Sequence, residues 1–375
     1  MLTDGERLRN ASSLTAAYAE RQDGPRYLWT DAFAVCNLLA LARRTGDERY
    51  RSLALGLVQR VHETLGRHRR DDARSGWLGD ASASHPTRGG LRIGKKLPER
   101  APGEPLDDQL EWDRDGQYFH YLTRWMHALD QTARFTGDAS FNLQARELAE
   151  VAFRRFSYRP RAGAPLRLRW KMSIDLSRPL VPSMGQHDAL EGYVTCAQLR
   201  ATAARLGPGG GPDLAEALEG FASMLEGAQL ATTDSLGIGG LLIDACRVAQ
   251  LSREGAIPDG AFLRDLLEAA LEGLRDPSAA LDLALPASTR LAFRELGLGI
   301  GLHGAERLEA TGILRDVAPY FTLAERIESF WMEPRNQQAP SWLAHRDINE
   351  VMLASSLVPD GCVEPFPQTA TSPPR

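Results

Sequence analysis

An all-α fold of antiparallel helix pairs is what the 375 residues of this chain predict, on three observations. Strand-like alternation is scarce, whereas apolar residues recur at three-and-four spacing from end to end. One helix–turn–helix phrase occurs twice in register, LARRTGDERY at 41–50 and TARFTGDASF at 132–141. The segments between helices also alternate in length, short then long.

Taken in order, a helix of about Asp4 to Ala19 comes first. Asp31 to Thr45 follows, with Phe33, Leu38, Leu41 and Ala42 on one face, then Glu48 to Arg67, with Leu53, Leu57, Val61 and Leu65 on one face. Between these two, Gly46 stops one helix and Asp47 is placed to cap the next. Gln117 to Phe135 and Phe141 to Phe156 repeat the arrangement around Thr136-Gly137-Asp138. Further pairs are His187 to Leu206 with Leu214 to Leu230, Leu236 to Leu251 with Phe262 to Leu274, and Thr289 to Leu308 with Pro319 to Phe330. Trp342 to Leu357 completes the set by pairing with the N-terminal helix. Twelve helices make six hairpins in a single domain over 1–358, followed by a Pro-rich mobile tail over 359–375. The short connections are 45–47, 136–138, 207–213, 252–260 and 311–317. The long ones, 68–115 and 157–186, with 20–30, 276–288 and 331–341 intermediate, fall at the opposite helix ends. They therefore share one face, where loops on a rigid scaffold carry function.

Composition narrows the function classes. With 44 Lys+Arg against 49 Asp+Glu and 43% apolar residues, the chain is neither disordered nor a basic nucleic-acid binder. Four cysteines stand far apart, which excludes a zinc cage and a disulfide scaffold and fits a reducing compartment. No signal-type apolar region opens the chain and no run of eighteen apolar residues occurs, so the expectation is a cytoplasmic protein without a membrane partner. Neither a metal nor another cofactor is expected, and oligomeric state is left open.

Six consecutive hairpins with long loops on one side resemble the (α/α)6 toroid of the six-hairpin glycosidase-like superfamily. That resemblance implies a pocket at the N-terminal ends of the inner helices, which would start near 31, 116, 187, 235, 289 and 342. It also implies a small carbohydrate as ligand.

The long-loop face carries residues that suit such a ligand. Trp29, Trp77, Trp112, Trp170, Trp331 and Trp342 lie in or beside its loops, and Trp125 alone lies inside a helix. Indole faces suit sugar rings. Only Lys95, Lys96 and Lys171 are lysine in a chain that otherwise uses Arg, and all three fall on this face. With Arg335 they are candidates to receive an anionic group. The segment 89–96 nearly spells a phosphate-binding loop, but Lys96 stands where Ser or Thr is needed and no strand precedes it. The DDxxE string at 107–111 sits beside Pro105 in a loop, which removes the magnesium-diphosphate reading.

Glycoside hydrolysis needs a proton donor and a second carboxylate. Asp113 and Asp188, at the starts of neighbouring inner helices, are the candidates, with His120, His187 and Gln117 orienting. Trp29, Trp112, Trp170 and Trp342 would stack on sugar, with Asp31, Glu191 and His345 also lining the pocket. Capping of a first helical turn is the competing role for each of these acids. A second reading is a sugar epimerase or isomerase using His120, His187 or His345. Gly185-Gln186-His187-Asp188-Ala189-Leu190-Glu191 is similar to the Gly-His-x-x-Glu helix start of N-acylglucosamine 2-epimerase-like proteins, with one residue more between His and Glu. A third is a sugar-binding toroid without catalysis. Arg167 to Leu180 alternates apolar and polar residues and predicts a short β-hairpin or flap over the pocket.

Overall fold

The computed structural model describes residues 2–363, apart from 22–23, 182, 208–209, 259, 278–282 and 309–311. Its helices are α1 (Asp4–Glu20), α2 (Leu28–Thr45), α3 (Glu48–Leu65), α4 (Asp108–Glu111), α5 (Phe119–Thr136), α6 (Ala139–Phe156), α7 (Asp188–Leu206) and α8 (Ala215–Leu225). Then come α9 (Ser235–Arg253), α10 (Ala261–Arg275), α11 (Ala292–Ala305), α12 (Gly312–Val317), α13 (Phe321–Met332), α14 (Pro340–Leu343), α15 (Arg346–Leu357) and α16 (Asp360–Val363). Five short strands are β1 (Gln117–Tyr118), β2 (Ser157–Tyr158), β3 (Arg167–Leu168), β4 (Lys171–Met172) and β5 (Pro179–Val181).

The all-α expectation holds, and most helix ends lie within a few residues of those predicted. Four differences have local causes. The helix expected to run to Leu230 stops at Leu225. Pro319, which has no N–H to donate, separates α12 from α13 through a 3-10 turn. The helix expected from Trp342 is split, because Asn349 reaches back to the Trp342 carbonyl at 3.0 Å and accepts from the Phe293 N–H at 3.0 Å. The segment after Pro359 forms α16 with Cys362 and Val363 buried, so order extends past the predicted start of the tail. Residues 364–375 lie outside the described residues, as do parts of the connections 207–213, 252–260, 276–288 and 311–317.

The repeated phrase is a repeated geometry. Gly46 and Gly137 both adopt left-handed φ, 71° and 76°. Thr45 and Thr136 hydroxyls donate to the carbonyls four residues back at 2.7 Å and accept from the Asp47 and Asp138 N–H groups at 3.2 Å. Those aspartates then accept from Arg49 N and Ser140 N at 2.9 Å, capping the following helix. At Gly46 a Cβ would meet open space, so only backbone strain opposes substitution there. Gly46→Ala should therefore lower stability by about 1 kcal/mol without touching activity, read by urea unfolding. A loss above about 3 kcal/mol would mean that the turn does more than reverse the chain.

The chain divides into two compact units. One comprises Met1–Gln22, Phe33–Ala54 and Gln229–Phe366. Its centre is α9 against α11, where glycines permit backbone contact: a Cβ on Gly239 would lie 2.2 Å from the Gly297 carbonyl oxygen. Helix α1 is tied to this unit by Arg7, which donates to both carboxylate oxygens of buried Glu328 at 2.7 and 2.9 Å. The other unit comprises Asp23–Ala32 and Leu55–Ala228, with α5 packed on α6 and α7 around buried Asp130. The Asp130 carboxylate accepts from Asn142, Arg134, Gln198 and Thr202. Its second long segment, 157–187, folds back on the strand that directly follows the first, 66–116, in a three-stranded sheet of order β1–β4–β5, antiparallel throughout.

Candidate functional site

The unit that contains α5 and α7 gathers most of the expected site residues. Strand β1 ends at Tyr118, which starts α5, and its pairing with β4 puts Tyr118 opposite Lys171. Phe119 N–H donates to the Trp170 carbonyl at 3.3 Å, which seats Trp170 over the start of the helix. The His120 ring lies parallel to Trp170, 9° apart with centroids at 5.9 Å, and Tyr118 meets both rings at 5.4 and 4.9 Å. Tyr121 stands edge-on to His120 and Tyr118 and touches Trp29 at 6.4 Å. Its hydroxyl shares a 2.5 Å hydrogen bond with the hydroxyl of Tyr27. At the other end Trp112 stands edge-on to Trp170 at 5.2 Å and is 54% exposed. A continuous aromatic surface thus runs from Trp112 to Tyr27, with His120 and Trp170 half-buried in its middle.

Beside it the first turn of α7 carries two carboxyl groups in opposite states. Asp188 is buried and, among the described residues, accepts only from Gly185 N–H, at 3.0 Å. Burial, with Glu191 beside it, pushes its pKa up to about 8, so it is protonated at neutral pH. For Glu191 burial acts in the same direction, but the Arg124 guanidinium, His120 and a hydrogen bond from Thr123 outweigh it. They hold Glu191 below its ordinary value. Arg124 Nη2 and Thr123 Oγ1 donate to its two oxygens at 2.9 and 2.7 Å. Burial pushes His120 down to about 4, which leaves a neutral imidazole whose Nδ1 has no hydrogen-bond partner among the described residues. The first turn of α7 therefore offers a protonated acid and a held carboxylate, and the first turn of α5 a neutral ring base.

Several expected ligands turn out to be occupied within the protein. The Lys171 ammonium is buried and donates to the Glu111 carboxylate at 2.9 Å and to the carbonyls of Glu111 and Arg114 at 2.7 and 2.9 Å, using all three of its hydrogens. The Gln117 amide is likewise committed: Oε1 accepts from Leu91 N–H, and Nε2 donates to the carbonyls of Gly89 and Ile174. Asp31 is fully buried against Arg26 and the Tyr27 N–H. Trp342 is 1% exposed and stacked on Trp331 at 5.6 Å, in the core of the other unit. That unit also holds His345 and Arg335, both exposed.

Asp113 is exposed at the end of α4 beside Trp112, and the carboxyl acting on Asp188 is Glu191. Lys95 is half-buried with its ammonium 5.2 Å from the centre of the Tyr27 ring, whereas Lys96 is exposed. His187 precedes α7 and acts electrostatically on Glu191. The predicted flap is a packed hairpin, β4 to β5, with Met172, Ile174, Leu176 and Leu180 buried, while Arg167–Leu168 pairs with Ser157–Tyr158. Sequence reasoning missed Tyr27, Tyr118, Tyr121, Thr123 and Arg124. The i, i+3 pair Tyr118 and Tyr121 around His120 at a helix start was the available signal.

No family model matches the sequence, and no curated protein is significantly similar to it. Solved structures do resemble the fold. An inactive variant of the alpha-1,6-mannanase GH76A of Salegentibacter sp. HEL1_6, in complex with alpha-1,6-mannotriose, aligns with a TM-score of 0.55 at 11% identity, covering 96% of this chain and 100% of that one. The GH76 alpha-mannanase of Bacteroides thetaiotaomicron gives 0.56 at 8%, covering 95% and 96%. A sugar epimerase from a ruminal bacterium gives 0.55 at 9%, covering 95% and 98%. These are six-hairpin structures of the (α/α)6 class, and the likeness over nearly the whole length shows the same fold here.

Proposed function

We propose that the chain is a carbohydrate-active enzyme, a glycoside hydrolase in which Asp188 is the proton donor and Glu191 the ionised carboxylate. The observation that carries this reading is the opposed protonation of two acids three residues apart, beside an aromatic surface fit for sugar rings. Environments that split two carboxyl groups assign the roles of acid and base. Trp112 and Trp170 would stack on sugar, Arg124 and Thr123 hold Glu191 in place, and Asp113 lines the rim. Oligosaccharide-bound and oligosaccharide-cleaving enzymes of the same fold support this substrate class without fixing the sugar.

The test is aryl release from a panel of aryl glycosides and oligosaccharides across pH. Turnover requires protonated Asp188, so kcat/KM should fall as pH rises through about 8. The acid limb should lie below the ordinary glutamate range, because Glu191 is held ionised. A profile whose alkaline limb is absent, or no cleavage of any panel member, would sink the assignment.

A second reading rests on His120, a neutral ring stacked on Trp170 with a spare Nδ1 near Glu191. Such a base would remove a carbon-bound proton from a sugar, as an epimerase must. Incubation of candidate free sugars in deuterated buffer separates the two readings. Deuterium incorporated at carbon with no cleavage favours epimerisation, and cleavage without incorporation favours hydrolysis.

A further inference from the structure

We infer that Lys95 is the specificity-determining residue of this site and that the sugar it accepts bears an anionic group, a carboxylate or a sulfate ester. The inference rests on the carbohydrate reading above and goes beyond it in naming the substrate class.

Around the Tyr27 end of the aromatic surface, the buried carboxylates already have partners: Asp31 accepts from Arg26 and from the Tyr27 N–H. Asp115 accepts from Arg92 at 2.5 Å and Arg69 at 3.3 Å. Glu111 accepts from Arg100 at 3.0 Å and Lys171 at 2.9 Å. Nothing of that kind is left for Lys95. Its backbone N–H is fixed by Asp115 Oδ1 at 3.3 Å, and the Lys95 carbonyl accepts from Arg69 at 2.7 Å, so the residue is held at both backbone groups. Its ammonium, by contrast, has no carboxylate or hydrogen-bond acceptor among the described residues and rests only near the face of Tyr27.

The ammonium of a half-buried lysine, with no acceptor among the described residues and on a backbone held at both polar groups, is arranged to take an anion from solution. Tyr27 places that ammonium within the same continuous ring surface as Tyr121 and His120, through the shared hydroxyl contact. An anionic group on one sugar ring would meet Lys95 while a neighbouring ring lay along His120 and Trp170. Lys171 does not substitute for it, since its donors are spent.

The test measures binding, followed by tryptophan fluorescence, of trisaccharides of glucose, galactose and mannose. Each is used in a neutral form, a form oxidised to a uronate at one residue, and a form sulfated at one primary hydroxyl. The native chain should prefer at least one anionic form over its neutral parent by about tenfold, a preference that shrinks as salt is raised. The uronate and sulfate arms identify which anion is taken. Lys95→Met should erase the preference and Lys95→Arg should keep most of it, which separates loss of charge from loss of fold. Equal binding of neutral and anionic forms, a preference that survives in Lys95→Met, or no binding of any probe would each overturn the inference. Cleavage plays no part in the readout. A chain that binds anionic sugars and leaves them intact fails the hydrolase reading while retaining this one.

Discussion

Asp188→Asn should abolish turnover and yet raise stability at neutral pH. The loss of rate is that of a general acid, about 10²- to 10⁴-fold. The gain in stability follows from the direction of the pKa shift. Burial and Glu191 raise the folded-state value from 3.8 to about 8. Between those two values the folded chain holds a proton that the unfolded chain has released. Stability therefore falls as pH rises through that window, by about 1.4 kcal/mol per unit, and is flat outside it. Asparagine has no proton to lose and escapes the fall. The melting temperature of the variant relative to native should be close to zero at about pH 4, climb toward the upper pKa near 8 and level off. A difference that is the same at every pH would show that Asp188 titrates normally and is not the donor. In the proposed reading, the environment that readies Asp188 as a donor costs the fold stability.

The second large effect concerns Lys171, which supports the site from beneath. Lys171→Met removes the partner of Glu111, a carboxylate that is 4% exposed, and strands the carbonyls of Glu111 and Arg114. Breaking a buried pair from one side costs about 3–5 kcal/mol, because the remaining charge stays buried. Arg100, bound to the other Glu111 oxygen at 3.0 Å, offsets part of this, so the lower end of that range is expected in urea unfolding. Replacing both members, Lys171→Met with Glu111→Leu, should recover much of the loss. A single-variant cost below about 1 kcal/mol, or a double variant no better than the single, would contradict a buried ion pair at this point.

The fold was legible because its signals are local. Three-and-four spacing marks each helix, and the Thr-Gly-Asp phrase encodes a complete turn within five residues. The site was legible only at helix starts, where His120, His187, Asp188 and Glu191 could be placed by position alone. What sequence could not supply was the partner of a side chain far along the chain. Lys171 meets Glu111 across 60 residues, and Gln117 meets Ile174 across 57, so both looked like free ligands. Tryptophan misled in part for a similar reason. The same indole area that suits a sugar also anchors a loop, and Trp342 against Trp331 is used that way. Asp31, expected as the N-cap of its helix, lies instead inside the first turn of α2, which starts at Leu28, and reaches back to the Tyr27 N–H.

The interlocking of the two long segments has a consequence for how this protein varies over evolutionary time. Arg100 donates to the Leu180 carbonyl, Glu99 accepts from Ile174 N–H, Arg74 reaches Asp175, and β1, directly after the first segment, pairs with β4. These contacts tie the two segments together, so they should open to hydrogen exchange as one cooperative body. A change of ligand preference would then be inherited as a package. Substitutions in 66–116 would demand matched ones in 157–187, and a graft of either segment alone onto a related scaffold would arrive unfolded.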